Sequence, residues 1–342
     1  MTLFRQEIGQ QPDVAERVLS AAASPVAAAA AAVAAASPAG LIIVARGSSD
    51  HAGVYAKYLF ESRNALPVAL AAPSLFTLYH RPPDLRRFCV LAISQAGAST
   101  DVVEVVVEAR RQGAVTVALT NDPGSPLAGE AAHVVPLSTG VERSVPATKT
   151  YTASLLLVAM LSQALRPEAS FGSALARVPD ALAAALGVEG SLGSLVGMLR
   201  GASRLAVLGR GYNLATALEI GLKLMEAAYV VAEARSVADF LHGPIAIIEP
   251  DFPVLVLSAG GPTAVEMSRL GEELVARGAR VLTVGDDVEH GSLGVRVATG
   301  LPESLTPLPF AVAGQLLTAG LAAARGIDPD RPRGLRKVTI SR

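Results

Sequence analysis

The residues best placed to do chemistry lie in two short stretches: Gly221-Leu222-Lys223-Leu224-Met225-Glu226, and Ala238-Asp239-Phe240-Leu241-His242-Gly243-Pro244. Lys223 and Glu226 are three residues apart, so a helix puts them on one face. Their neighbours Leu222, Leu224, Met225, Ala227, Ala228 and Tyr229 are mostly apolar. A carboxylate in such surroundings is suited to taking and returning a proton near neutral pH. The plainer reading is a surface ion pair followed by a turn-forming His-Gly-Pro.

A second group of residues could hold an anion. Gly47-Ser48-Ser49-Asp50, Ser94-Gln95-Ala96-Gly97-Ala98-Ser99-Thr100 and Ser144-Val145-Pro146-Ala147-Thr148-Lys149-Thr150 are hydroxyl-rich loops that end a strand or precede a helix. Glycine lets the backbone approach a ligand, and helix N-terminal N–H groups with Ser/Thr hydroxyls can hold a phosphate without formal positive charge. Any one loop could be ordinary helix capping; three together favour phosphate. No Walker A sequence occurs, and Gly209-Arg210-Gly211 lacks the third glycine of a dinucleotide loop. His51, His80, His133, His242 and His290 have no metal-ligand spacing, so neither a catalytic metal nor a cofactor is expected.

These residues must be positioned by an α/β fold. Residues 41–45, 89–93, 115–119 and 133–137 are short apolar runs, as expected for strands buried on both faces of a parallel sheet. Residues 101–113, between two of them, have helical spacing and a terminal glycine. The alanine-rich stretch 26–36 is too short and too weakly apolar to span a bilayer and reads as a helix ended by Ser37-Pro38-Ala39-Gly40. No basic segment precedes it as in a signal peptide, and a soluble, cytoplasmic protein is expected. Cys89, the single cysteine, excludes a disulfide within the chain and reads as an inert core thiol.

The chain also repeats itself. Phe88-Cys89-Val90-Leu91-Ala92-Ile93-Ser94-Gln95-Ala96-Gly97 is similar to Phe252-Pro253-Val254-Leu255-Val256-Leu257-Ser258-Ala259-Gly260-Gly261, and residues 41–49 are similar to 205–213. Two copies of one α/β unit follow. With 342 residues there is room for both: residues 1–190, with N-terminal helices, and 191–342, with a C-terminal tail, divided in the glycine-rich stretch between Ala181 and Ser203. A net charge of −1 with no basic run argues against nucleic acid as a partner.

Ser94-Gln95-Ala96-Gly97, Ala147-Thr148-Lys149, Leu208-Gly209-Arg210-Gly211, the run from Glu219 to Glu226, His242-Gly243-Pro244 and Pro332-Arg333-Gly334-Leu335-Arg336-Lys337 occur in an order that resembles the isomerase half of the glucosamine-6-phosphate synthases. That half is made of two sugar-isomerase (SIS) domains, each a mostly parallel, doubly wound, flavodoxin-like sheet flanked by helices. Gln6-Glu7-Ile8-Gly9-Gln10-Gln11-Pro12 resembles the segment that opens it. The resemblance implies that Ser48, Ser49, Ser94, Gln95, Gly97 and Ser99, with Val145 and Ala147, hold the sugar and its phosphate. It implies that Glu226 moves a proton between C1 and C2, that Lys223 orients Glu226 and the substrate, and that Lys337 lies near the carbonyl end. It further implies that His242 opens the sugar ring at the site of a neighbouring subunit, hence a homodimer with shared sites.

Departures from the family pattern bear on the substrate. Ala96 stands in place of a serine, Ala98 of an acid and Ala147 of a serine, which follows an unusual Pro146. The synthases carry a glutaminase half with a nucleophilic cysteine, which this sequence lacks. The expected reaction interconverts glucosamine 6-phosphate with fructose 6-phosphate and free ammonia, without glutamine hydrolysis. The expected partners are a small sugar phosphate and ammonia, with no membrane. The alternatives are an Amadori-type deglycase on another 6-phosphosugar amine and a non-catalytic sugar-phosphate sensor.

Overall fold

A computed structural model describes residues 1–288 and 293–337 of the chain; His290 lies outside them. The strands build two five-stranded sheets with every neighbouring pair parallel. The first has the order β2-β1-β3-β4-β5, from β1 (Gly40–Ala45), β2 (Val68–Leu70), β3 (Phe88–Ile93), β4 (Val115–Thr120) and β5 (His133–Pro136). The second has the order β10-β9-β8-β6-β7, from β6 (Arg204–Gly209), β7 (Val231–Ser236), β8 (Pro253–Ser258), β9 (Arg280–Gly285) and β10 (Leu293–Arg296). Counted from their first strands, β1 and β6, the two orders are the same. Both are doubly wound, with the switch in winding direction beside the first strand. The expectation of two copies of one α/β unit holds.

The four apolar runs read as strands are β1, β3, β4 and β5, and residues 101–113 form the helix Thr100–Arg111. In β3, Val90 and Ala92 pack with Val102, Val105 and Val106 of that helix, while Cys89, Leu91 and Ile93, on the opposite face, are equally buried. Burial pushes the Cys89 thiol up to about 12, which makes it unreactive at neutral pH. The alanine-rich stretch lies in the helix Ala23–Ala36, closed by Ser37 in a left-handed conformation.

The chain folds as two compact units with interleaved segments. The second sheet belongs to a unit of Met1–Pro12, Arg143–Thr148 and Arg177–Leu335; the first sheet belongs to Asp13–Glu142, Lys149–Ala176 and Arg336–Arg342. The glycine-rich stretch around residue 190 is helical, in Val178–Leu186, Glu189–Leu192 and Gly193–Leu199.

In the second-sheet unit, the helix Pro307–Ala324 is long and apolar enough to cross a membrane by length and composition, and most of it is buried inside the unit. It packs on the helix Asn213–Ala228. Gly314 permits the crossing: a Cβ there would lie 2.2 Å from Ile220 Cγ1. Gly314→Ala should therefore lower stability by about 1–3 kcal/mol through overpacking. Adding Ile220→Ala should recover part of that loss, a non-additivity that thermal denaturation of the single and double variants measures.

Candidate active site

The helix Asn213–Ala228 follows β6 and carries the acid–base candidates. Lys223 is 1% exposed, with its Nζ 2.6 Å from Glu226 Oε2 and 3.4 Å from Glu219 Oε1. Glu219, four residues before Lys223, is likewise 1% exposed, whereas Glu226, three after it, is 21% exposed. The surface ion-pair reading is thus excluded: the lysine is fully buried between two carboxylates, one buried and one at the surface. Burial pulls Lys223 down, but Glu219 and Glu226 together more than reverse this, and its pKa ends above the usual lysine value. The apolar surroundings expected for Glu226 are only partly present, since Met225 is exposed and Leu222 and Tyr229 are half-buried.

Glu219 opens the motif that runs to Glu226, and its pairing with Lys223 is a feature that the motif alone does not announce. The signal was available, because Glu–Lys at i,i+4 is the favourable orientation on a helix. Its burial, which makes it matter, came only with the packing of the helix.

His242 ends the short helix Val237–Leu241 and is exposed, with its N–H donated to Asp239 O at 3.3 Å. Gly243, at φ 136°, turns the chain immediately afterwards. Lys337 lies in the first-sheet unit, where its Nζ is 2.6 Å from Glu142 Oε2. Glu142 is buried and also accepts the Thr150 N–H and hydroxyl.

The first two hydroxyl loops lie at the carboxyl ends of the adjacent strands β1 and β3, at the switch in winding direction. Ligands bind at this position in open α/β sheets. Gly47 precedes the helix Ser48–Asn64, and Ser99 precedes Thr100–Arg111 without its side chain capping that helix. Ser125 by contrast does cap, accepting the Ala128 N–H. The second loop is braced from β4, with Gln95 O accepting the Asn121 N–H at 2.9 Å and the Thr120 hydroxyl at 3.2 Å. The two loops are tied by Arg46 Nε to Asp101 Oδ2 at 2.6 Å, a pair missed at the sequence level because its members are 55 residues apart. Asp50, in the first turn of its helix, has a carboxyl pushed up by burial, against the pull of His51 and Arg46.

The third loop is committed differently. The Ser144 hydroxyl donates to Pro146 O at 2.7 Å, and the Arg143 and Ser144 N–H groups donate to the Glu7 carboxylate. With Thr150 bound to Glu142, two hydroxyls that suggested phosphate there are engaged in holding the loop. Val145 and Ala147 of this loop belong, with the rest of Arg143–Thr148, to the second-sheet unit.

The SIS domain profile matches residues 37–164 and 198–290, one span over each sheet. The chain belongs to the SIS domain family. Among SIS proteins, a chain from Silicibacter pomeroyi, described as a candidate phosphosugar isomerase, is 36% identical over 96% of this chain and all of its own length, with a TM-score of 0.90. The glutamine–fructose-6-phosphate aminotransferase (isomerizing) of Pyrococcus horikoshii is 32% identical over 88% of this chain and 52% of its own. The SIS chain thus spans about half the length of the curated relatives it matches. A glucosamine-6-phosphate deaminase from Thermotoga maritima shares the fold at a TM-score of 0.80 and 21% identity, over 99% of this chain and all of that one.

Lys223→Met would remove the cation held between Glu219 and Glu226 at full burial, and breaking a buried ion pair in this way should cost about 3–5 kcal/mol of stability. The native lysine titrates above its ordinary value of 10.5, so its contribution is fully present below that pH and is lost as pH rises through the higher native value. Denaturation curves from pH 9 upwards should show this alkaline loss in the wild type and a flatter dependence in the variant.

Proposed function

We propose that this SIS protein is a cytoplasmic sugar-phosphate isomerase of the aldose–ketose type that interconverts glucosamine 6-phosphate with fructose 6-phosphate and ammonia. The observation that carries the reading is the state of Glu226: a carboxylate at the surface, held at 2.6 Å by a lysine that is itself fully buried. A simple sugar-phosphate sensor has no need of a base so fixed. The similarity to isomerizing aminotransferases and to a candidate phosphosugar isomerase supports the same reading.

The chemistry follows from the residues. The open-chain amino sugar carries an aldehyde at C1 and a hydrogen and an amine at C2. Glu226 removes the C2 proton, giving an enolamine, and returns it to C1. The product is a C2 imine, which water hydrolyses to the ketose and ammonia. Lys223 holds the carboxylate in one orientation through both transfers, and a base whose position is fixed contributes about 10²–10⁴-fold. Ser48, Ser49, Ser94, Gln95, Gly97 and Ser99 bind the phosphate end in this reading. Lys337 stands near the carbonyl end, where a cation stabilises developing oxyanion character. His242, exposed beyond its helix, opens the ring at the site of a second subunit.

The alanines at positions 96, 98 and 147 leave fewer side-chain hydrogen-bonding groups for the phosphate and the sugar hydroxyls, which keeps a related 6-phosphosugar amine as the second reading.

Glu226→Gln should reduce kcat by about 10²–10⁴-fold with KM changed only a few-fold. In deuterated water the wild type should exchange deuterium into C1 or C2 and the variant should not; near-normal turnover and exchange in the variant would end this mechanism. Ser94→Ala should raise KM about tenfold, the worth of a charge-assisted hydrogen bond, with little change in kcat. Steady-state assays of ammonia release over a panel of phosphorylated amino sugars check this and identify the substrate.

A further inference from the structure

The two copies of the repeat build the same crevice, and in the second a side chain enters it. Gly211 in the loop after β6 and Gly47 in the loop after β1 both have φ of 57°. Gly261 and Gly97, in the loops after β8 and β3, also have positive φ. The ion pair recurs as well: Arg46 Nε to Asp101 Oδ2 at 2.6 Å in the first copy, Arg210 Nε to Glu266 Oε2 at 2.8 Å in the second. Each pair ties the loop after the first strand to the first turn of the helix after the third strand.

In the second copy the space framed by these loops holds a side chain. Glu303, which precedes the helix Pro307–Ala324, accepts the Thr263 hydroxyl at 2.6 Å and the Thr263 N–H. A Cβ at Gly211 would lie 3.5 Å from Glu303 Oε1, and one at Gly261 would lie 2.9 Å from Oε2. Both loops therefore close on one carboxylate. It stands at the N-terminus of the helix Ala264–Ala276, beside the loop that opens Asn213–Ala228.

A second observation points to a ligand at this place. Ser258, which ends β8, is 2% exposed, and its hydroxyl has no hydrogen-bond partner among the described residues. By strand alternation it lies on the same face as Val254 and Val256, the face covered by Met267 and Leu270 of the helix Ala264–Ala276. Ser94 occupies the same position in the first copy, on the face of Val90 and Ala92. A buried hydroxyl without a partner costs free energy and calls for an acceptor or donor that is not present.

We propose that the crevice between β6 and β8 is a second oxyanion site, with hydroxyl and helix N-terminal donors suited to a phosphate group, and closed from within by the Glu303 carboxylate. The carboxylate takes the place of the anion on the Thr263 donors and leaves the Ser258 hydroxyl unanswered. Burial pushes the Glu303 carboxyl above its ordinary range, against the pull of the two Thr263 hydrogen bonds, so the plug is held at a cost. The proposal stands independently of the function assigned to the first crevice.

The test uses the full-length chain and inorganic phosphate, with melting temperatures compared between phosphate and chloride at matched ionic strength. Any phosphate bound in the first crevice stabilises every variant alike, so only a gain in excess of the wild type counts. Glu303→Ala should show an excess of about 2–4 °C at phosphate ten times its Kd. Glu303→Gln, which keeps the volume of the side chain and drops its charge, should show a smaller excess. Adding Thr263→Val to Glu303→Ala should abolish the gain. No excess in either single variant would overturn the proposal and leave Glu303 as a long-range helix cap, whose loss phosphate does not repair. An excess that survives Thr263→Val would place the anion elsewhere and would also overturn it.

Discussion

In a parallel sheet covered on both faces, charged groups have little room along the buried strands, where the polar side chains are small hydroxyls. Adjacent residues point to opposite faces, and in β3 and β8 nearly all of them are buried. Water-loving chemistry is thereby driven to the loops beyond the carboxyl ends of the strands, where backbone N–H groups at helix starts are already in need of acceptors. Both sheets obey this constraint. The first two hydroxyl loops, the Arg46–Asp101 and Arg210–Glu266 pairs and the Glu303 carboxylate all sit at such ends.

Lys223 is the exception. It is buried within the helix that follows β6, away from any loop, and the structure must answer its charge on the spot. Glu219 and Glu226 do so from one turn behind and one turn ahead. The two differ in depth: Glu219 is buried beside the lysine, while Glu226, one-fifth exposed, keeps its carboxylate at the surface with the lysine fixing its orientation. A lysine placed in this way is a positioning group first. Its removal breaks a buried ion pair, which weakens the fold before it alters any chemistry.

The duplicated architecture shows how one scaffold supports two outcomes. The strand order, the left-handed glycines and the loop-to-helix ion pair are the same in both copies. A single acidic side chain, delivered by the segment that leads into Pro307–Ala324, changes what the second crevice can accept. Nothing in the repeat itself decides this. The deciding residue enters from the segment before Pro307–Ala324, outside the stretches 205–213 and 252–261 that carry the repeat.

By itself the sequence determined the fold class, the duplication and the family. Those rest on local hydrophobic runs and on motifs whose order survives in the linear chain, such as residues 88–97 against 252–261 and the helix spacing of Lys223 and Glu226. It did not reveal β2, three residues long at a sheet edge, or β7, whose Val231-Ala232-Glu233-Ala234-Arg235-Ser236 lacks an apolar run because an edge strand is half in water. Burial of Glu219, the engagement of Ser144 and Thr150 within their own neighbourhood, and the interleaving of Met1–Pro12 and Arg143–Thr148 with the second sheet were decided only by tertiary structure. So was the meeting of Glu303 with Thr263, 40 residues away. The physical reason is common to all of them: a carboxylate or hydroxyl is the same residue in the sequence whether it faces water or a partner, and only packing settles which.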